Sequence, residues 1–335
     1  MIDPVSHFRY PDEWTAKCSE EDRRIAESGF GMLTSDGNVL KRGFTTGSTA
    51  AAAAFAAAAS LGGTEIFSSH ILLPCGLYAD VPSYGNCGEG RAEKYAGDYP
   101  SDVTAGIEIS ARAVPAEKIS LEFGNGVGRF TRDTPRYKCG DAAVSPSAHA
   151  EILQAVEDGC KISGVAGAAV MISIPQGEAV VKLTLNKKVG VEGGISVVGT
   201  TGFVEPWDDH LTDTMEQRIA DADDVVITTG RVGLRYSRLL FPDAEVILAG
   251  SKIAAALSAS KGCRSGVLCG LPGLILRFFH PDTAMSRGFA TVEEMIGSPN
   301  GGQYLNEELD AAKALYPHVR IVILDREGAV IGERE

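Results

Sequence analysis

Val225-Val-Ile-Thr-Thr-Gly230 is the stretch that decides the fold. It is a short, β-branched run that ends in a glycine turn, and the residues after it can be helical. The same texture recurs at Val246-Ile-Leu-Ala-Gly250 and Gly266-Val-Leu-Cys-Gly270, and Ile195-Ser-Val-Val-Gly-Thr-Thr-Gly202 reads as a fourth case. Strand, glycine turn and helix, repeated, is the pattern of a parallel sheet with crossover helices, whose strands are covered on both faces and so read as unbroken apolar runs. Val319-Arg-Ile-Val-Ile-Leu324 offers a last strand. Residues 193–335 are therefore expected to form a Rossmann-like α/β domain with a mainly parallel sheet.

Upstream, the period changes. Short alternating runs between His70 and Thr131 (HILLP, DVTAGIEISARAV, ISLEF, VGRFT) are separated by Gly, Pro and Asn turns, and a helix is predicted from about Ser147 to Cys160. Two more strand-like runs follow, Ala168 to Pro175 and Ala179 to Leu185. This is an α+β signature, assigned to a domain over residues 41–192. Thr45-Thr-Gly-Ser-Thr49 opens a helix over Ala50 to Leu61 that Gly62-Gly63 ends. Gly43 to Thr64 carries no charge, yet its alanines contribute too little transfer energy for a membrane span, so a buried helix is expected. Residues 1–40 read as an N-terminal extension packed on the body.

The 335 residues include 31 Lys+Arg against 44 Asp+Glu, a net charge of −13. An acidic chain without a basic run longer than a pair argues against nucleic-acid and anionic-membrane binding. Seven scattered cysteines without a C-x-x-C read as reduced thiols in a cytoplasmic protein, and no protein metal site is expected. The N-terminus has Pro4, His7 and charges where a secretory apolar core would sit. Nothing in the sequence fixes the oligomeric state, and a homo-oligomer is compatible with it.

Three groups of residues are candidates for chemistry. Ligands of open parallel sheets bind at the carboxyl ends of the strands, where glycines let the backbone approach. Gly199, Thr200, Thr201, Gly202 and Gly230 are therefore candidates for a nucleotide-type cofactor, the alternative being glycines that merely permit tight turns. Asp98, Asp102 and Thr104 form a polar loop that could orient a substrate, act as a base or face a sulfonium; an Asx-turn or cap is the alternative. Gly124-Asn-Gly-Val-Gly128 is followed by no helix and so lacks what a phosphate loop needs. Beyond it, Arg129, Arg132, Arg136 and Lys138 could serve an anionic substrate or be a solvated surface.

Several segments together resemble the CbiD family of anaerobic cobalamin biosynthesis. They are Gly43-Phe-Thr-Thr-Gly-Ser-Thr-Ala-Ala-Ala-Ala-Ala54, Ala96-Gly-Asp98 with Asp102-Val-Thr104, Gly124-Asn-Gly-Val-Gly-Arg-Phe-Thr131, Ile174-Pro-Gln-Gly-Glu178, and Thr184-Leu-Asn186 through Gly193-Gly-Ile-Ser-Val-Val-Gly-Thr-Thr-Gly202. The resemblance implies an S-adenosylmethionine-dependent methyltransferase that methylates C-1 of cobalt-precorrin-5B to give cobalt-precorrin-6A. The cobalt arrives inside the polycarboxylate macrocycle. Thr45, Thr46, Arg129, Arg132, Arg136, Lys187 and Lys188 are then expected to face that substrate. This chain has Thr49 where the family has Cys and Ala105 where it has His, with Ser101 inserted; Gly273 to His280 replaces a lysine-bearing segment. Those departures leave two alternatives, a paralogue using another nucleotide-type cofactor and a non-catalytic corrinoid-binding protein.

Overall fold

The structure is a computed structural model that describes residues 1–99, 102–134, 136–184, 186–205, 215–250 and 252–335. Ser101, Pro135 and the side chain of Lys188 lie outside the described residues. The chain folds as a mixed α/β protein with several sheets, in two compact units: Leu40–Pro206, and Met1–Val39 together with Trp207–Glu335. The division falls at 206/207, not at 192/193. The physical reason is backbone pairing: Gly194 and Ile195 pair with Gly126 and Val127, and Phe203 pairs with Phe44, so the 193–205 stretch stays with the first unit.

In the unit Leu40–Pro206, helix α1 (Thr46–Ala59) is buried along its whole length. It packs on a six-stranded sheet made of β1 (Ile66–Leu72), β2 (Tyr78–Asn86), β3 (Glu89–Glu93), β4 (Glu108–Ala116) and β5 (Ser120–Phe123), followed after helix α2 (Pro146–Ser163) by β6 (Gly167–Ser173). The strand order is β1-β2-β3-β4-β6-β5, antiparallel except for β6 on β5. The alanine run has a packing cause. A Cβ built on Gly90 of β3 would lie 2.2 Å from the Ala53 carbonyl oxygen, so the helix backbone rests almost directly on the sheet there, an approach that small side chains permit. No described helix is long and apolar enough to cross a membrane. Ala179 to Leu185, expected as a strand, instead begins with helical turns over Gly177–Val180 and Val181–Leu183. Among the described residues no strand partners them, and β propensity without a partner does not make a sheet.

The other unit holds a five-stranded sheet. Its elements are β7 (Asp224–Thr228), α3 (Arg231–Leu240), β8 (Glu245–Leu248), α4 (Ile253–Ala259), β9 (Ser265–Gly270), α5 (Pro272–Phe279), α6 (Gly301–Leu315), β10 (Val319–Leu324) and β11 (Val330–Arg334). The order is β8-β7-β9-β10-β11, parallel apart from the last strand. Val225, Ile227, Ile247, Leu268, Ile321 and Ile323 share one face with α4, α5 and α6. Val226, Val246 and Val267 are in register on the opposite face, where α3 lies. The N-terminal residues cover α3: the Phe8 ring lies tilted against Tyr236 with 5.4 Å between centres, and Ser35 Oγ donates to the Leu240 carbonyl at 2.9 Å.

Candidate functional site

The crossover from β7 to β8 runs by α3 on one face and that from β8 to β9 by α4 on the other, so the winding reverses between β7 and β9. At such a reversal the loops leave a crevice at the carboxyl ends of the strands. Thr228 and Thr229 end β7 there, and both hydroxyls are buried without a hydrogen-bond partner. They flank the end of β9: a Cβ built on Gly270 would come within 3.3 Å of Thr229 Oγ1 and 3.5 Å of Thr228 Oγ1. Gly230 caps α3 in an extended conformation. A cavity of about 430 Å³ opens beside the turn into α5, lined by Leu271, Pro272, Leu274, Arg277, Met285 and Val292. Leu274 also lies next to Gly230, 3.6 Å from where a Cβ would stand.

Gly199 to Gly202 sits elsewhere. Its expected setting, a turn from a strand of the parallel sheet into a helix, is not found; Phe203–Val204 is a short strand paired with Gly43–Phe44. The segment is sewn to the first turn of α1 instead. Thr45 N donates to Gly202 O at 3.0 Å, Gly47 N to Val198 O at 3.0 Å, Ser48 Oγ to Gly202 O at 2.8 Å, and Val198 N to Thr46 Oγ1 at 2.9 Å. Ser147 Oγ donates to Gly199 O. Thr45 itself is the N-cap, accepting from Ser48 N. Thr200 is exposed, while Thr201 Oγ1 closes a local turn with Phe203 N at 3.3 Å. A bulky residue at Gly202 cannot test ligand approach without disturbing the fold: its φ is +90° and a Cβ would meet Leu73 Cβ at 2.8 Å.

The carboxylates of the polar loop take separate partners. Asp98 Oδ2 accepts from Lys41 N at 2.7 Å. Asp102 forms an ion pair with Lys94, their side chains 8% and 2% exposed, and its Oδ1 accepts from Thr104 N at 2.9 Å and Thr104 Oγ1 at 2.5 Å. That is the Asx-turn alternative. Burial alone would raise the Asp102 pKa, but the Lys94 charge and the Thr104 hydrogen bonds hold it below the usual range, which suits a permanent anion and not a base.

The basic residues divide. The Arg129 fork is committed to backbone carbonyls, Nη2 to Phe123 O at 2.7 Å and Nη1 to Gly140 O at 3.0 Å. Strand pairing of Arg129–Phe130 with Val191–Glu192, and Thr131 N on Gly190 O at 2.9 Å, bring Arg132 beside the loop that carries Lys187. Arg132 Nε lies 3.2 Å from the Cβ position of Gly190. Arg132, Arg136 and Lys187 are exposed, and no ion pair among the described residues uses them. Lys138 faces Asp133 at 3.5 Å.

Sequence reasoning missed Glu151, a buried acid on α2, and Thr228 and Thr229 as unpaired hydroxyls. A signal for Glu151 was present: Ala148, Ile152, Ala155, Val156 and Gly159 form the buried stripe of α2, and an acid three residues after Ala148 falls on that stripe.

The CbiD family model matches residues 33–206. The cobalt-precorrin-5B C(1)-methyltransferase of Methanoregula boonei is 52% identical over 335 residues, 99% of each chain. The protein of the same name from Methanospirillum hungatei is 48% identical over 337 residues, covering all of both. The crystal structure of the cobalamin biosynthesis protein (cbiD) from Archaeoglobus fulgidus matches with a TM-score of 0.56 and 34% identity, over 97% of this chain and 100% of that one. With the family model spanning more than half of its residues and full-length relatives at such identity, the chain belongs to the CbiD family.

Proposed function

We propose that this protein is a cobalt-precorrin-5B C(1)-methyltransferase, acting in the cytoplasm with S-adenosylmethionine as donor. The observation that carries the donor assignment is the pair of unpaired Thr228 and Thr229 hydroxyls at the winding reversal of the five-stranded, mainly parallel sheet. Buried hydroxyls without partners are rare because each forfeits about 1–3 kcal/mol of hydrogen bonding, and a bound polar ligand restores it. The apolar cavity beside Leu274 suits the rest of a nucleoside-sized molecule. S-adenosylmethionine supplies the methyl group as a sulfonium. The protein's contribution to such an in-line displacement is to fix distance and angle, which requires no triad and no protein metal. Arg132 and Lys187 hold carboxylates of the macrocycle, while the Gly199–Gly202 turn fixes the first turn of α1 for the substrate side.

Calorimetry with S-adenosylhomocysteine tests the donor site. Thr228→Val and Thr229→Val should each weaken binding about tenfold, the loss of one hydrogen bond, without lowering Tm. Unchanged affinity in both variants would remove the β7 turn from the donor site. For the macrocycle, Arg132→Glu with Lys187→Glu should weaken binding at least about tenfold and reduce its salt dependence, with S-adenosylhomocysteine affinity unchanged. A spectrophotometric titration of cobalt-precorrin-5B reads both effects. Equal loss of both ligands would end the division of labour.

A further inference from the structure

Glu151 has no part in any interaction described so far. It is 5% exposed, and neither carboxylate oxygen has a hydrogen-bond partner. It lies against the first turn of α1: a Cβ built on Gly47 would stand 3.3 Å from Glu151 Oε2, 2.9 Å from Ala148 Cβ and 3.2 Å from Val198 O. Glycine at 47 is what lets the acid reach the turn. The turn carries a hydroxyl pair, Thr45 Oγ1 and Ser48 Oγ, 3.0 Å apart, with Ser48 on the Glu151 side.

Among the described residues, no charge compensates the acid. From α1 comes only the Ser48 hydroxyl. From the turn after β1 comes Cys75, whose thiol is pushed up by its own burial and also by Glu151, with Arg42 acting the other way. Arg42 is paired with Glu205 at 2.8 Å. On α2 itself, His149 is turned toward Phe123, 6.3 Å between ring centres. Residues 196–202 contain no ionisable side chain, only hydroxyls and carbonyls. Burial pushes the Glu151 carboxyl from 4.5 to about 7, and Ser48 offsets part of that rise. An unpaired buried acid weakens the fold, so its presence at the segment that carries the family motif calls for a task other than stability.

We propose that Glu151 is the terminal proton acceptor of the C-1 methylation, reached through the Thr45 and Ser48 hydroxyls. The inference rests on the methyl transfer proposed above. In that reaction the S–CH3 bond breaks with its electron pair left on sulfur, and the new C–C bond at C-1 takes its pair from the π system of the macrocycle. The macrocycle thereby gains one positive charge, which is discharged when a proton leaves and its bonding pair stays on the macrocycle. That proton goes to the Thr45 oxygen as the Thr45 proton moves to Ser48, and the Ser48 hydroxyl, which donates to Gly202 O at 2.8 Å in this structure, turns to deliver its own proton to Glu151. The balance is a neutral thioether, a methylated macrocycle of unchanged charge and a protonated Glu151, which returns its proton to water.

Glu151→Gln keeps the shape and removes the acceptor. In single-turnover methylation with saturating S-adenosylmethionine and cobalt-precorrin-5B, the wild-type rate should rise with pH around a midpoint near 7. Glu151→Gln should lose about 100-fold in rate together with that limb. Ser48→Ala, which interrupts the relay, should flatten the same limb. Affinity for S-adenosylhomocysteine and for the macrocycle should stay within about twofold, and Tm at pH 8 should not fall, because the variant removes an unpaired charge. A Glu151→Gln protein with the wild-type rate and pH limb overturns the inference, as does one whose binding and Tm fall in step with its rate. A wild-type protein that transfers no methyl group fails the functional reading and the inference with it, whereas a fully active Glu151→Gln fails the inference alone.

Discussion

Lys94→Met should lower stability by about 3–5 kcal/mol, more than any change to an exposed charge of this protein. Lys94 and Asp102 face each other with almost no solvent contact, and among the described residues only Thr104 also bonds the Asp102 carboxylate. Removing the ammonium leaves a buried anion with two bonds from one residue, and the fold then bears most of the cost of desolvating it. The two members answer burial differently. Burial pulls the Lys94 pKa down against the pull of Asp102, whereas Asp102 ends below its usual value because Lys94 and Thr104 outweigh burial. The close ammonium–carboxylate contact and the extra Thr104 bonds favour the ionised pair at neutral pH. A carboxyl whose folded pKa is depressed stabilises the fold above its unfolded value of 3.8, and that contribution disappears as pH falls through the lower folded value. Urea unfolding of the wild type should therefore show a loss below about pH 4 that Asp102→Asn lacks. Asp102→Asn should itself be destabilised at pH 7, and the double variant should cost less than the sum of the two. If Asp102→Asn keeps its stability and loses only methyl transfer, Asp102 is a catalytic group after all.

How much of this was legible in the sequence depends on which force wrote each segment. Val225–Thr228, Val246–Leu248 and Val267–Gly270 were readable because a strand covered on both faces has to be apolar throughout, and a glycine turn has to follow it. Ile195–Gly202 imitates that text for another reason. Its Gly199 has a packing cause, since a Cβ would stand 2.4 Å from Thr45 Oγ1, and a short strand follows it in place of a helix. The alanine run was legible as a buried helix, since residues without side-chain bulk mark a helix pressed on a sheet. Thr228 and Thr229 could not be singled out, because a lost hydrogen bond is a property of three-dimensional neighbours and leaves no trace in residue order. The Lys94–Asp102 pair was hidden for a similar reason: Lys94 looks like one more strand charge until β3 and the following loop fold it inward.

Gly126→Ala is expected to cost about 2–5 kcal/mol, because it combines a conformation that L side chains avoid with a collision against backbone. Its φ is +75°, and a Cβ would stand 1.8 Å from Ile174 O. The contact is reciprocated. A Cβ on Gly177 would lie 2.1 Å from Gly126 O, and one on Gly194 would lie 2.0 Å from the same atom. Hydrogen bonds tie the three segments, Ile174 N to Asn125 O at 2.8 Å and Gly128 N to Ile195 O at 2.9 Å. Gly126, Gly177 and Gly194, one from each of the G-N-G-V-G, I-P-Q-G-E and G-G-I-S strings, are therefore glycines for one shared reason, which is that three backbones meet without room for a methyl group. Gly63→Ala separates the two terms: its φ is +83° but nothing lies within 4 Å of the Cβ position, so it should cost only about 1 kcal/mol. Urea unfolding of Gly126→Ala, Gly177→Ala, Gly194→Ala and Gly63→Ala gives the comparison. Because the first three act on one contact, Gly126→Ala combined with Gly177→Ala should cost clearly less than the sum of the two. The folded fraction of each variant should bind S-adenosylhomocysteine and the macrocycle as the wild type does. A Gly126→Ala protein of wild-type stability with weakened macrocycle binding would mean that this loop faces the ligand and that the backbone contact is not what its glycines serve.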